Sequence, residues 1–291
     1  DKETQFSAVT CVFPDGTSYV AFRGTDETIV GWKEDLNLAF SEPVPGQIMS
    51  VDYLEKTAAT LQGRFCVGGH SKGGNLAVYS AMYCKPETRE RIEWVFNHDG
   101  PGFRPEVLAQ GAFREVEEKI RKTIPHSSLV GMILFSEVPY RVVESKKIGV
   151  AQHDPYTWLI DKESFRLADE VYSGRKVMDE SLNEWILSLT QEQMRVFVDT
   201  LYQILLASET DNLIDLAANW PQSVQKIRAA LKQVDEETAK TITKIIKSFM
   251  ERISVNTRSF LKSKAEQEKE KLEEGLKQLE QKTKKTMEKI E

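Results

Sequence analysis

The sequence predicts an α/β protein: a mostly parallel sheet with helices on both faces, followed by an all-helical C-terminal region. Three observations carry that expectation. Short β-rich runs alternate with helical patterns up to about residue 165, Gly and Pro clusters punctuate the joins, and strand patterns cease beyond that point. Strands that alternate with helices build parallel sheets, because each crossover helix packs back onto the sheet.

Residues 7–13 (SAVTCVF) and 18–23 (SYVAFR) are β-rich and flank Pro14-Asp15-Gly16, the signature of a hairpin turn. Apolar Ile48, Val51, Leu54, Ala58 and Leu61 recur at helical spacing over 47–61. A short apolar strand at 64–67 (RFCV) runs into Gly68-Gly69, and a helix follows from Gly74 to about Tyr83, with Pro86 beyond it. Residues 92–97 (IEWVFN) form the next strand, ending at Asp99-Gly100-Pro101-Gly102. Further strands are predicted near 121–125 and at 140–144 (YRVVE).

Beyond about residue 165 only helices are predicted. Thr190 and Gln193 have the spacing of a capping box, and Met194, Phe197, Val198, Leu201, Ile204 and Leu205 form one apolar stripe. Trp220-Pro221 opens a second helix with Val224, Ile227, Leu231 and Val234 inward, and a third carries Ile242, Ile245, Ile246, Phe249 and Ile253. These stripes are read as a bundle packing on itself or on the sheet, ahead of a lid over an acyl pocket. From about Lys262 the chain is rich in Lys, Glu and Gln, with sparse Leu272, Leu276 and Leu279. Pairs such as Glu273–Lys277 are each worth ~0.2–0.5 kcal/mol on a solvated helix. The thin seam offers a surface for homo-oligomerisation. The expected division is therefore 1–165 (sheet domain), 166–261 (helical region) and 262–291 (charged helix or coiled-coil tail).

Composition narrows the function classes. With 291 residues, 40% hydrophobic and 29% charged, the chain reads as a globular protein large enough for a substantial core. A net charge of −6 argues against a general nucleic-acid binder. No apolar run approaches the roughly 18 residues of a membrane span. Cys11, Cys66 and Cys84 are scattered, which fits neither a disulfide framework nor a zinc site and suggests a reducing cytoplasm. The chain opens on Asp1-Lys2-Glu3 rather than Met, leaving room for upstream residues and the earliest strands of a fuller sheet.

The chemistry concentrates at Gly69-His70-Ser71-Lys72-Gly73, a G-x-S-x-G sequence between a predicted strand and a predicted helix. That context is what the nucleophile elbow of an α/β-hydrolase requires: a tight strand-to-helix turn lifting a serine Oγ above the sheet. A hydrolase also needs two N–H donors aimed at the developing oxyanion, one from the residue after the nucleophile and one from a loop after an earlier strand. Lys72 supplies the first by position. Thr25, at the end of Val20-Ala21-Phe22-Arg23-Gly24-Thr25-Asp26, is the candidate for the second. No metal cluster, nucleotide loop or cofactor motif is visible.

The strings AFRGTD, Gly31-Trp32-Lys33-Glu34-Asp35-Leu36 and GHSKGG resemble the oxyanion strand, the following Trp-x-x-Asp helix and the elbow of class 3 (fungal-type) lipases. More closely, FRGTDETIVGWKED, GHSKGGNLAVYSA, DGPGF, SSLVGM and QHDPYTW, in that order over roughly residues 5–160, resemble an uncharacterised bacterial family of lipase-like α/β-hydrolases, a domain-of-unknown-function family. The resemblance implies the hydrolase fold and a Ser-His mechanism, and no particular substrate. Trp32 and Asp35 are assigned to packing and loop support.

Of the four histidines, His153 lies in a loop after the last predicted strand, where α/β-hydrolases deliver the base in the order Ser…acid…His. His70 is read as packing locally, away from the nucleophile. Asp99, at the end of the strand after the nucleophile helix, is the chosen acid, with Glu137, a Ser128-assisted arrangement or a bare Ser-His dyad as alternatives. In the lipase pattern the acid comes one strand later, and the matching stretch here, Thr123 to Val130, offers serine instead. Lys72 reads as a solvated elbow residue or as a group favouring an anionic substrate. The expected function is a serine esterase acting on carboxylic or lipid esters, without cofactor. The rival is a non-catalytic scaffold that binds a protein partner through its helical half.

Overall fold

The fold was analysed in a computed structural model, which describes residues 5–25, 38, 43–128, 130–168, 173–207, 236–245, 247–249, 251, 252, 254–259 and 262. Six strands form one sheet in the order β1 (Ala8–Val12), β2 (Ser18–Phe22), β3 (Phe65–His70), β4 (Ile92–His98), β5 (Ile120–Pro125) and β6 (Tyr140–Val143). β1 pairs antiparallel with β2, and every later pairing is parallel. The hairpin turn forms where Pro14-Asp15-Gly16 predicted it: Gly16 has φ +84°, and Asp15 Oδ1 accepts the Thr17 N–H at 2.9 Å.

Two helices cover one face. α1 (Pro45–Thr60) starts with Pro at its first turn, and Gln47 Oε1 reaches back to accept the Val44 N–H at 3.0 Å. α2 (Lys72–Tyr83) is buried along Lys72–Met82, with no polar side facing water, as befits a helix enclosed on all sides. The two helices interlock through Gln47 Nε2 to Asn75 Oδ1 at 2.9 Å and Ser50 Oγ to the Leu76 carbonyl at 3.3 Å. Beneath them lie Val20, Phe22, Phe65, Val67 and Val95, every second residue of their strands. The crossovers from β3 to β5 add the short helices α3 (Pro86–Glu90), α4 (Pro105–Leu108) and α5 (Gly111–Arg114).

The helices expected on the opposite face do not fall among the described residues. Among the described residues, the helices that pack on the sheet lie on the α1–α2 face. The other face presents Val9, Tyr19, Cys66, Trp94 and Phe96, partly open to solvent, with Val9 56% and Trp94 36% exposed. Tyr19 meets Phe96, and the Arg121 guanidinium lies 3.8 Å from the centre of the Trp94 ring. Apolar residues on both sides of a strand read as two-sided burial, and among the described residues the neighbours of this face include stacked aromatic rings. Among the described residues, the C-terminal end of this face is capped by Trp158 and Phe165 around the two-residue strands β7 (Ile160–Asp161) and β8 (Ser164–Phe165).

The later helices α6 (Ser173–Ser188) and α7 (Gln191–Ala207) build a second core, in which Trp185, Ile186, Met194, Val198 and Ile245 gather around Leu134. Thr190 and Gln193 form the expected reciprocal cap, at 2.9 and 3.1 Å. Asn183 ties α6 to the sheet domain: its side chain accepts the Leu134 N–H at 2.7 Å and donates to the Met132 and Leu134 carbonyls. The predicted Trp220 helix, Trp32 and Asp35, and the tail beyond Lys262 lie outside the described residues. No described helix is long and apolar enough to cross a membrane.

Candidate active site

The strand β3 extends further than the pattern RFCV predicts, through Gly68 and Gly69 to His70, and α2 begins immediately after Ser71 rather than at Gly74. The glycines explain this. A Cβ on Gly69 would sit 2.4 Å from the Gly73 backbone, so strand and helix approach too closely there for any side chain, while one on Gly68 would sit 2.1 Å from Tyr19 Oη and 2.9 Å from Phe96 Cβ, on the neighbouring strands. Between them Ser71 adopts φ 58°, ψ −132°, a conformation L-residues avoid at a cost of ~1–3 kcal/mol. The surrounding packing holds that strain and projects Oγ over the C-terminal edge of the sheet.

Asp99 stands at the equivalent edge position after β4 and is also left-handed, at φ 51°. Its N–H donates to the Thr123 carbonyl at 2.7 Å, while Asn97 Oδ1 accepts the Gly100 N–H at 2.8 Å. The carboxylate is fully buried, 0% exposed, so both oxygens need donors. Oδ2 accepts from His153 Nδ1 at 2.7 Å, and Oδ1 accepts from Ser128 Oγ. Ser128 Oγ in turn accepts the Gly131 N–H at 3.0 Å. A Cβ on Gly131 would fall 2.3 Å from Asp99 Oδ1, so glycine there is a spatial requirement.

His153 ends a 3-10 turn, Gly149–His153, after β6. Its Nε2 lies 3.0 Å from Ser71 Oγ. The three side chains therefore form a continuous chain from hydroxyl to imidazole to carboxylate, drawn from three separate strand ends. The turn that carries His153 is anchored on several sides. Gln152 accepts the Ser127 N–H at 2.7 Å and donates to the Lys147 carbonyl at 2.7 Å, and Trp158 Nε1 donates to the Gln152 carbonyl at 2.8 Å.

Of the alternative acids, Glu137 is half-exposed and pairs with Arg114 at 2.8 Å, away from this chain of contacts. Ser128 enters as a hydrogen-bond donor to Asp99, not as its substitute. Gly24 lies against the elbow: a Cβ there would be 3.2 Å from Ser71 Cβ and 2.5 Å from the His70 carbonyl, which brings the Gly24 backbone beside Ser71. Lys72 corrects the solvated reading. It is 1% exposed, and Nζ donates to the Gln5 carbonyl at 3.0 Å, fastening the N-terminal segment to the elbow.

His70 packs away from Ser71, as expected, but against His153 rather than elsewhere. It points to the open face, its ring centre 4.5 Å from that of His153, and its Nε2 is 2.7 Å from the His153 carbonyl. Burial, and next the neighbouring His153, push its pKa down to about 3. Strand alternation from Cys66 through Gly68 places His70 on that face, so parity was the available signal. His70, Asp99 and His153 bring potential metal-ligand atoms within 4.8 Å of one another. A carbonyl only accepts, so His70 Nε2 carries a proton, and the Asp99 oxygens are already engaged. That donor set suits proton handling better than a cation.

A family model described as Mbeg1-like matches residues 1–203, a span that contains the sheet, the elbow and every residue of the Ser71–His153–Asp99 chain. The chain belongs to the Mbeg1-like family. The function of the Mbeg1-like family is unknown. No curated protein matches the chain.

Proposed function

We propose that this protein is a serine hydrolase of the α/β-hydrolase, lipase-like type, cleaving carboxylic or lipid esters through a Ser71–His153–Asp99 triad. The observation that supports it best is the hydrogen-bonded sequence from Ser71 Oγ through His153 to Asp99, at 3.0 and 2.7 Å. These are the separations at which a hydroxyl proton passes to an imidazole and a carboxylate fixes the tautomer that can receive it.

In this reading neutral His153 takes the Ser71 proton on Nε2 as Oγ bonds to the ester carbonyl carbon. The resulting imidazolium is balanced by Asp99, itself held by Ser128. The tetrahedral oxyanion takes N–H donors from Thr25 and Lys72, each worth ~2.7–4 kcal/mol by analogy with known oxyanion holes. Collapse breaks the bond to the alcohol oxygen, which leaves with the Nε2 proton. Water then attacks the acyl-enzyme, giving its proton to His153, and the acid departs as Ser71 is regenerated. A cytoplasmic location belongs to the same reading and rests on the free thiols Cys11, Cys66 and Cys84.

A fluorophosphonate probe tests the proposal. The expected result is covalent labelling of the folded protein that vanishes in Ser71→Ala, alongside turnover of p-nitrophenyl esters. A folded wild type that takes up no probe would overturn it in favour of the non-catalytic scaffold.

A further inference from the structure

We infer that His70 is a positioning residue: its Nε2–H holds the backbone carbonyl of His153, fixing the base turn from the same strand that delivers the nucleophile. Its consequence for catalysis rests on the serine-hydrolase reading, whereas its consequence for the geometry of His153 does not.

Two observations converge. The His153 side chain is held at its two ring nitrogens, by Ser71 and Asp99, and Gln152 and Trp158 anchor the residue before it, but none of those contacts reaches the His153 carbonyl. The 2.7 Å contact from His70 supplies a third point, on the backbone. Because His70 immediately precedes Ser71, that contact ties the base to the nucleophile through a single peptide, bypassing the long path through β4, β5 and β6. His70 is in turn fixed edge-on by Trp158 at 6.0 Å, the residue whose indole binds the Gln152 carbonyl. The clamp thus closes a ring of contacts around residues 152 and 153.

The second observation concerns charge. The two imidazoles lie 4.5 Å apart, and His98 is the other titratable group acting on His70. A cation at position 70 would oppose the imidazolium that His153 becomes during catalysis. Burial keeps His70 neutral, with Nε2 as its single N–H donor, and the clamp costs the transition state no like-charge repulsion. A lysine or arginine could supply an N–H here but not without that charge.

The test compares full-length wild type, His70→Phe and His70→Gln. Phe keeps an aromatic ring without the donor, and Gln places an amide N–H near the same spot. Two readouts are needed: the rate of fluorophosphonate labelling, and the downfield proton resonance of His153 Nδ1–H against Asp99 by NMR. His70→Phe is expected to label roughly 10- to 100-fold more slowly, the scale of a misplaced catalytic group, with the resonance broadened by exchange. His70→Gln is expected to return both to near wild type. Wild-type labelling and an intact resonance in His70→Phe would overturn the clamp, as would equal losses in Phe and Gln. A wild type that never labels, but whose resonance is lost in Phe and kept in Gln, breaks the hydrolase reading and leaves the clamp standing.

Discussion

The two faces of the sheet are built differently, and the candidate site draws one partner from each. Ser71 belongs to the covered face: α2 packs over it, and Leu76, Ala77 and Ala81 behind it are 0% exposed. His153 belongs to the open face, where it rests on His70 within a group of rings comprising Trp158, His98 and Phe165. Ser71 is thus held by bulk packing, and His153 by a few hydrogen bonds and edge-to-face rings. Damage to the first should appear as lost stability, and damage to the second as lost chemistry.

Core truncation should give the largest effect. Leu76→Ala removes a fully buried side chain between α2 and the sheet and should cost ~2–5 kcal/mol, because the close-packed surroundings relax only partly. Trp94→Ala, on the open face, removes a larger side chain that is already 36% exposed and stacked on Arg121. Its loss should cost about 1 kcal/mol, most of it the cation–π contact and residual burial. Urea unfolding of both variants measures the contrast. Equal costs would mean that the open face is covered in solution and the two faces are not distinct.

How far the sequence carried this picture follows the same division. The covered face was legible: the β1–β2 hairpin, α1, α2 and the parallel strands all announce themselves through turns and periodicity, and Gly69-His70-Ser71-Lys72-Gly73 marks the elbow. Ser71 was placed from the elbow motif, and His153 and Asp99 from their positions after predicted strands; the structure brings the three within hydrogen-bonding distance. The open face was less legible, because Tyr19, Cys66, Trp94 and Phe96 are apolar whether a helix or another ring covers them. β7 and β8 are too short to carry a periodic signal. Lys72 reads as a surface residue, since nothing local reveals that a carbonyl 67 positions away will meet its ammonium. His70 was missed because its partner is a main-chain carbonyl, which leaves no trace in side-chain composition.

Ser128 sits where the two faces meet and should give an intermediate effect. Ser128→Ala withdraws the donor from Oδ1 of a fully buried carboxylate, leaving that oxygen unpaired. An unsatisfied buried group of this kind costs ~1–3 kcal/mol or more when charged. The same change loosens the carboxylate that orients His153, so fluorophosphonate labelling should slow roughly tenfold, about 1.4 kcal/mol on the barrier. Ser128→Thr retains the hydroxyl and should recover part of both losses. Stability lost without any change in labelling would show that Asp99 is steered by His153 and the backbone alone.

The smallest effect is a pH slope confined to the open face. Burial lowers the pKa of His70 from 6.5 to about 3, and burial also lowers that of His98. In the unfolded chain both imidazoles regain their ordinary values, so between about pH 6.5 and 5 the unfolded state binds more protons than the native state. The sign follows: both histidines contribute stability above the unfolded value, and that contribution is lost as the pH falls through this window. Each neutral histidine adds at most ~1.4 kcal/mol per pH unit to the slope. Replacing His70 with Gln removes one titrating group and should flatten the fall of the urea midpoint between neutral and mildly acidic pH, with little change at neutral pH. An unchanged slope would mean that His70 is protonated in the native state, and the open face would then carry a charge beside the base.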